Sequence, residues 1–140
     1  MNIRELDESD LTAAVDLWHA VDLVREWNDP AADFRGALKG TSSAILGAES
    51  DGVLIGTAMV GFDGHRGWLY YVAVSPSMQR QGVGSDLTRA SEEWLAVRGA
   101  RKVQLMVRRG NDDPRLFYGE LGYAPSDVTV FAKWLTSEGT

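Results

Sequence analysis

The sequence predicts an α/β fold, a mixed sheet with helices packed on both faces. Three observations carry this. An apolar run, Leu69-Tyr70-Tyr71-Val72-Ala73-Val74, feeds a glycine-containing turn at 79–84. The turn opens a segment whose positions Leu87, Ala90, Ser91, Trp94 and Leu95 recur at helical spacing, and a buried-looking strand follows at Val103–Val107. A strand–helix–strand passage in one sheet implies two parallel strands joined by a right-handed crossover. Finally, Asp51-Gly52 lies between two strand-like segments and is a strong hairpin signal, so the earlier strands should be antiparallel.

The elements follow in order. Met1–Leu6 reads as a first strand. Ser9 or Asp10 can cap a helix whose apolar face holds Leu11, Val15, Trp18 and Val21. Trp27-Asn28-Asp29-Pro30 interrupts it, and Asp29-Pro30 restarts a helix with an acid as cap and proline in the first turn. That second helix carries Phe34 and Leu38 and ends near Gly40. Ser43–Ala48 and Val53–Gly61 are the hairpin strands, and Asp63-Gly64-His65-Arg66-Gly67 turns the chain into the strand Trp68–Ser75. The helix after the glycine turn ends at Arg98-Gly99, a basic last turn followed by a C-terminal glycine. Asp113-Pro114 starts a helix that stops at Gly122, and Val128–Leu135 reads as a last strand.

The chain has 140 residues, suited to a single domain over 1–140. Its 44% apolar and 24% charged residues are ordinary for a soluble globular fold. No apolar run is long enough to cross a membrane, and no leader is visible in Met1-Asn2-Ile3-Arg4. Cysteine is absent, which excludes thiol catalysis and suits a cytoplasmic location. With only His19 and His65, no metal site is expected. A net charge of −6 disfavours nucleic-acid binding and gently favours a cationic partner.

Glycines at 79–84 let the backbone approach a ligand, and a helix start offers unpaired N–H groups and a positive dipole end. This is a docking place for a phosphorylated ligand. The spacing is not that of a dinucleotide fingerprint, since Leu87 takes the third small position and Arg101-Lys102 stand where an acid is needed. It is not a Walker A loop either, because Gly84 is followed by Ser85-Asp86.

What remains is Gln/Arg-x-x-Gly-x-Gly/Ala between a strand and a helix. Downstream, Asn111-Asp112-Asp113-Pro114-Arg115-Leu116-Phe117-Tyr118-Gly119-Glu120-Leu121-Gly122-Tyr123 resembles the pattern N-x-x-A-x-x-[LF]-Y-x-x-x-G-[FY]. Together the two segments resemble the GCN5-related N-acetyltransferase (GNAT) family. The stretches 22–30 and 61–67 are further similar to the bacterial YpeA-type acetyltransferases. The sequence departs from the pattern at Gln79, where arginine is commoner, and at Pro114, which replaces a small residue.

The resemblance implies a mostly antiparallel sheet of six to seven strands with a central parallel pair. It implies acetyl-CoA as donor and direct attack by a primary amine in a ternary complex. The backbone of Val72, Ala73 and Val74 would pair with the pantetheine arm, and Asn111 would hydrogen-bond it. The backbone of Gln79, Arg80, Gln81, Gly82, Val83, Gly84 and Ser85 would hold the pyrophosphate. Tyr118 would be the general acid for the leaving thiolate. Trp27, Asn28, Asp63, His65 and Arg66 are candidates to line the acceptor pocket. The acceptor is expected to be a small amine or amino acid. The alternatives are a protein N-terminus, as in enzymes acting on a ribosomal protein, and a non-catalytic acyl-CoA-binding module. Homodimers are common among similar enzymes, although nothing in this sequence requires one.

Overall fold

The computed structural model of the chain describes residues 1–136. Its elements are β1 (Asn2–Glu5), a 3-10 turn (Glu8–Asp10), α1 (Leu11–Ala20), α2 (Pro30–Lys39), β2 (Ser43–Ser50), β3 (Val53–Phe62), β4 (Gly67–Val74), a second 3-10 turn (Pro76–Met78), α3 (Val83–Val97), β5 (Val103–Gln104) and α4 (Asp112–Glu120). They form two compact units. Met1–Leu105 holds the sheet and the first three helices, and α4 belongs to the second unit, which begins at Met106.

Local chemistry sets most boundaries. Asp10 is the N-cap of α1, one of the two expected positions, but makes no side-chain cap bond there. A capping box instead closes the preceding 3-10 turn, where Asp7 Oδ1 accepts the Ser9 N–H at 2.9 Å and Asp10 Oδ2 accepts the Asp7 N–H at 2.8 Å. Asp10 also pairs with Arg4 at 2.8 Å, and Arg4 reaches Glu49, which ties α1 to the outer strands. The Arg4 guanidinium holds the Asp10 carboxyl below its usual range. At α2, Asp29 accepts the Ala32 N–H at 3.1 Å with Pro30 in the first turn, as expected. Asp51 and Gly52 both have positive φ, 52° and 77°, the conformation of a tight hairpin turn.

Among the described residues the sheet has five strands in the order β1-β2-β3-β4-β5. The first four are antiparallel, and β4 pairs with β5 in parallel. One face packs Ala44, Leu46, Ala58, Val60 and Leu69 against Val83, Leu87 and Leu95 of α3. The other packs Ile45 and Ala73 against Leu17, Trp18 and Phe34 of α1 and α2. Two strand glycines let α3 approach. A Cβ at Gly56 would lie 2.8 Å from Leu87 Cδ1 and 3.1 Å from the Ala73 carbonyl, and one at Gly67 would lie 2.6 Å from Leu95 Cδ1. The helix is thus seated at its start on β3 and near its end on β4.

The strand count is lower than the expected six to seven. β5 spans two residues rather than Val103–Val107, because its ladder with β4 stops at Trp68↔Gln104. Residues 128–135 carry a strand-like apolar pattern but form no strand, and Val128, Phe131 and Leu135 are exposed. An apolar pattern is not enough for a strand; its main chain must also pair in a ladder.

Candidate active site

The site begins with an irregularity in β4. Met59 pairs with Tyr70 and Thr57 pairs with Ala73, so two residues of β4, Tyr71 and Val72, stand opposite the single Ala58. This is a β-bulge. It breaks the strand alternation at Tyr70 and Tyr71. Tyr70 pairs with Met59 on the α1–α2 face, and Tyr71 packs on the same face, so neither enters the α3 core. Beyond the bulge, Val72 and Val74 pack on the α3 side and Ala73 on the α1–α2 side.

Tyr71 has φ +49°, a left-handed conformation that costs a non-glycine residue about 1–2 kcal/mol. Its surroundings hold it there. The ring stacks on the buried Trp18 with centroids 3.9 Å apart, and the hydroxyl donates to Asp33 Oδ2 at 2.7 Å. Burial, reinforced by that carboxylate, pushes the Tyr71 phenol well above its ordinary pKa. Below the chain, Trp18 Nε1–H donates to Thr57 Oγ1 at 2.9 Å, and Thr57 donates to the Tyr71 carbonyl at 2.8 Å.

The bulge also bears on what lies beside β4. Among the described residues, no strand pairs with the outer edge of β4 beyond Trp68, so Leu69–Val74 present an open strand edge. Such an edge offers main-chain donors and acceptors to an amide-bearing ligand. Val72, Ala73 and Val74 all lie on it.

The same strand leads into the loop. After the 3-10 turn, Gln79 is extended, Arg80 is left-handed at φ 64° and Gly82 is left-handed at φ 85°. The Gln79 side chain donates back to the Val74 carbonyl at 3.2 Å, fastening the loop to the strand end. No side chain caps α3 at Gly82, unlike Asp29 at α2. The first-turn N–H groups of Val83, Gly84 and Ser85 therefore have no capping side chain, and the dipole end is ready for an anion. Asp86 pairs with Arg89 at 3.5 Å in the same turn of helix.

The expected acceptor residues lie on two connections. Trp27 and Asn28 are in the α1–α2 connection, with Trp27 44% exposed. Asp63, His65 and Arg66 form the β3–β4 turn. Asp63 Oδ1 accepts the His65 and Arg66 N–H groups at 2.8 and 2.7 Å, and Oδ2 accepts the Trp68 indole at 3.2 Å. The Arg66 and His65 N–H groups hold its carboxyl below the usual range. That makes Asp63 a turn-forming residue and a poor base.

In the second unit, Asn111 stands at the N-cap of α4 but makes no side-chain capping bond. Tyr118 packs edge-on against Phe117 and Tyr123, with centroids at 4.9 and 5.6 Å. Burial pushes its phenol up to about 12. The residues that sequence reasoning missed are Thr57, Asp33 and Gly56. Thr57 was visible only as one polar residue inside the apolar run 53–62.

An open strand edge that runs into an uncapped helix start suits a long ligand with amides along one arm and phosphate at its end. The fold is that of the acyltransferases. Residues 3–123 match the Acetyltransferase (GNAT) family. An acetyltransferase of Pectobacterium atrosepticum is 37% identical over 99% of this chain and 98% of its own. The chain belongs to the GNAT family and is an acetyltransferase. Solved structures share the fold. The aminoglycoside N-acetyltransferase AAC(6')-Iy in complex with CoA superimposes with a TM-score of 0.79 at 22% identity, covering 96% of this chain and 100% of that one. The same enzyme bound to the bisubstrate analogue CoA-S-monomethyl-acetylneamine gives 0.77 at 22%, covering 96% and 98%. An acetyltransferase of Agrobacterium tumefaciens gives 0.81 at 17%, covering 96% and 100%.

Proposed function

We propose that the protein transfers the acetyl group of acetyl-CoA to a primary amine of a small, cationic molecule. The observation that carries this is the open edge of β4 leading into the uncapped start of α3. The main chain of Val72–Val74 pairs with the pantetheine arm, and that of Gln79–Ser85 cradles the pyrophosphate, with Arg80 adding a charge-assisted contact. The family match over residues 3–123 supports reading 1–140 as one catalytic domain.

The amine attacks the thioester carbonyl directly. The Val72 N–H polarises that carbonyl as charge develops on its oxygen. An ammonium that becomes an amide loses two protons; one ends on the leaving sulfur and the other goes to solvent. Tyr118 is assigned by its place in the family motif. A phenol near 12 stays protonated throughout the working range, yet passes its proton only uphill to a thiolate whose ordinary pKa is about 8.5. Its role is therefore hydrogen-bond donation to the departing sulfur, a narrower task than full proton transfer.

A small-molecule acceptor is supported by two things. Asp33 and Asp29 both place negative charge beside Tyr71 on the α1–α2 face, and AAC(6')-Iy takes a bisubstrate analogue built on an amine-bearing molecule. The test is release of free CoA from acetyl-CoA by the purified protein, with cationic amines in one panel and peptides with free N-termini in another. Turnover confined to the peptides would overturn the acceptor assignment. CoA binding without turnover on either panel would leave only a binding module.

A further inference from the structure

The bulge is held by a buried device that the reaction as described does not yet use. Thr57 and Trp18 are both fully buried. The threonine hydroxyl accepts the Trp18 indole N–H at 2.9 Å and gives its only proton to the Tyr71 carbonyl at 2.8 Å. Both ends of the hydroxyl are thereby committed. If the position merely filled the core, valine would have the same shape without a polar atom to satisfy.

The Tyr71 carbonyl belongs to the same planar trans peptide as the Val72 N–H, and the two point in opposite directions. Thr57 lies on β3, so a carbonyl drawn towards it turns the Val72 N–H towards the unpaired outer edge of β4. The left-handed backbone at Tyr71, φ +49°, is where this peptide could most readily rotate away. The Trp18 stack and the Asp33 hydrogen bond fix the Tyr71 side chain, while Thr57 fixes its peptide.

We propose that Thr57 is a positioning residue for acetyl transfer: with its proton oriented by Trp18, it sets the rotation of the 71–72 peptide and so aims the Val72 N–H at the donor's carbonyl. This rests on the functional reading above, in which that N–H stabilises the developing oxyanion.

The experiment compares Thr57→Val with Thr57→Ser. In Thr57→Val the shape stays and the hydrogen bonds go. The expected result is a kcat lower by roughly tenfold, below the hundredfold or more typical when an oxyanion donor is removed outright. The KM for acetyl-CoA should stay within about threefold, because the pyrophosphate loop is untouched. Thr57→Ser keeps the hydroxyl and should return kcat to within about threefold of the parent. In the ligand-free protein, the Val72 amide resonance should move in Thr57→Val and return in Thr57→Ser. A Thr57→Val protein that is folded at the assay temperature yet keeps the parental kcat would overturn the proposal. If the parent transfers acetyl to no acceptor, the functional reading fails separately; the Val72 amide then decides, and an unmoved resonance overturns the pin. Should Thr57→Val not fold, Trp18→Phe removes the indole N–H that occupies the threonine lone pair and orients its hydroxyl, while leaving Thr57 in place. It should lower kcat by about threefold or more, and an unchanged kcat would refute the idea.

Discussion

Tyr71 and Arg80 both carry side chains on left-handed backbone, at φ 49° and 64°, and they are held in opposite ways. Tyr71 sits in the sheet, gripped by Trp18, Thr57 and Asp33 from three different elements. Arg80 sits on an exposed loop, fastened beside it by the Gln79 side chain. The bulge is therefore complete before any ligand arrives. The loop has its shape from a few backbone angles and leaves its N–H groups for an anion to satisfy. Strain in a core must be stabilised by the protein's own side chains, whereas strain at a phosphate loop can be offset by what it binds.

The largest expected effect falls on the loop. Gly82→Asp puts a Cβ on a backbone at φ +85° and a carboxylate at the anion site. CoA affinity should fall about a hundredfold or more by calorimetry, with the circular dichroism spectrum unchanged; retained affinity would show that the loop is misassigned. Next is Tyr118→Phe, which removes the donor to the leaving sulfur and should lower kcat about ten- to a hundredfold with little change in KM. An unchanged kcat would leave the tyrosine as a packing residue.

Gly56→Val tests the seat of α3. The added atoms meet Leu87, Val83 and the Ala73 carbonyl. The helix start must shift, so the acetyl-CoA KM should rise about tenfold and thermal stability should drop by about 1–3 kcal/mol. Glycine substitutions then set the two left-handed residues against each other. Arg80→Gly removes the strain and little else, so the protein should gain up to about 1 kcal/mol while losing a few-fold in CoA affinity. Tyr71→Gly removes the same strain but also the Trp18 stack and the Asp33 hydrogen bond, and should lose about 2–4 kcal/mol. Equal effects at both sites would erase the distinction.

The smallest effect is a pH dependence. Burial and the Asp33 carboxylate raise the folded pKa of the Tyr71 phenol above the ordinary 10.0 of a tyrosine. The unfolded chain releases this proton first. Its stabilising contribution is complete below pH 10 and is lost as the pH climbs from there towards the folded value. Tyr71→Phe should therefore flatten the fall in melting temperature above pH 10.

Much of this was readable from the chain. Local chemistry fixed the hairpin at Asp51-Gly52, the α2 cap at Asp29 and the loop before α3, because each depends on residues adjacent in sequence. The bulge was not readable. Alternation along Leu69–Val74 predicts one face for each parity, and nothing in those letters says that Tyr71 takes a left-handed turn. The cause lies 39 residues apart in sequence, in the Trp18–Thr57 hydrogen bond, and a single sequence carries no sign of that meeting. The C-terminal apolar pattern misled for the converse reason. A strand is made by its ladder as well as its pattern, and 128–135 take part in no ladder among the described residues.

The extra residue in β4 also places a constraint on descent. Side chains along 68–74 can change one at a time while the strand keeps its course. Removing one of them takes out the bulge: β4 then pairs residue for residue with β3, and no peptide is left standing out of the ladder opposite Ala58. Related chains that keep the activity are thus expected to vary in letters here but not in length. A library of point substitutions and single-residue deletions across 68–74, selected for acetyl transfer, should return the first kind and none of the second.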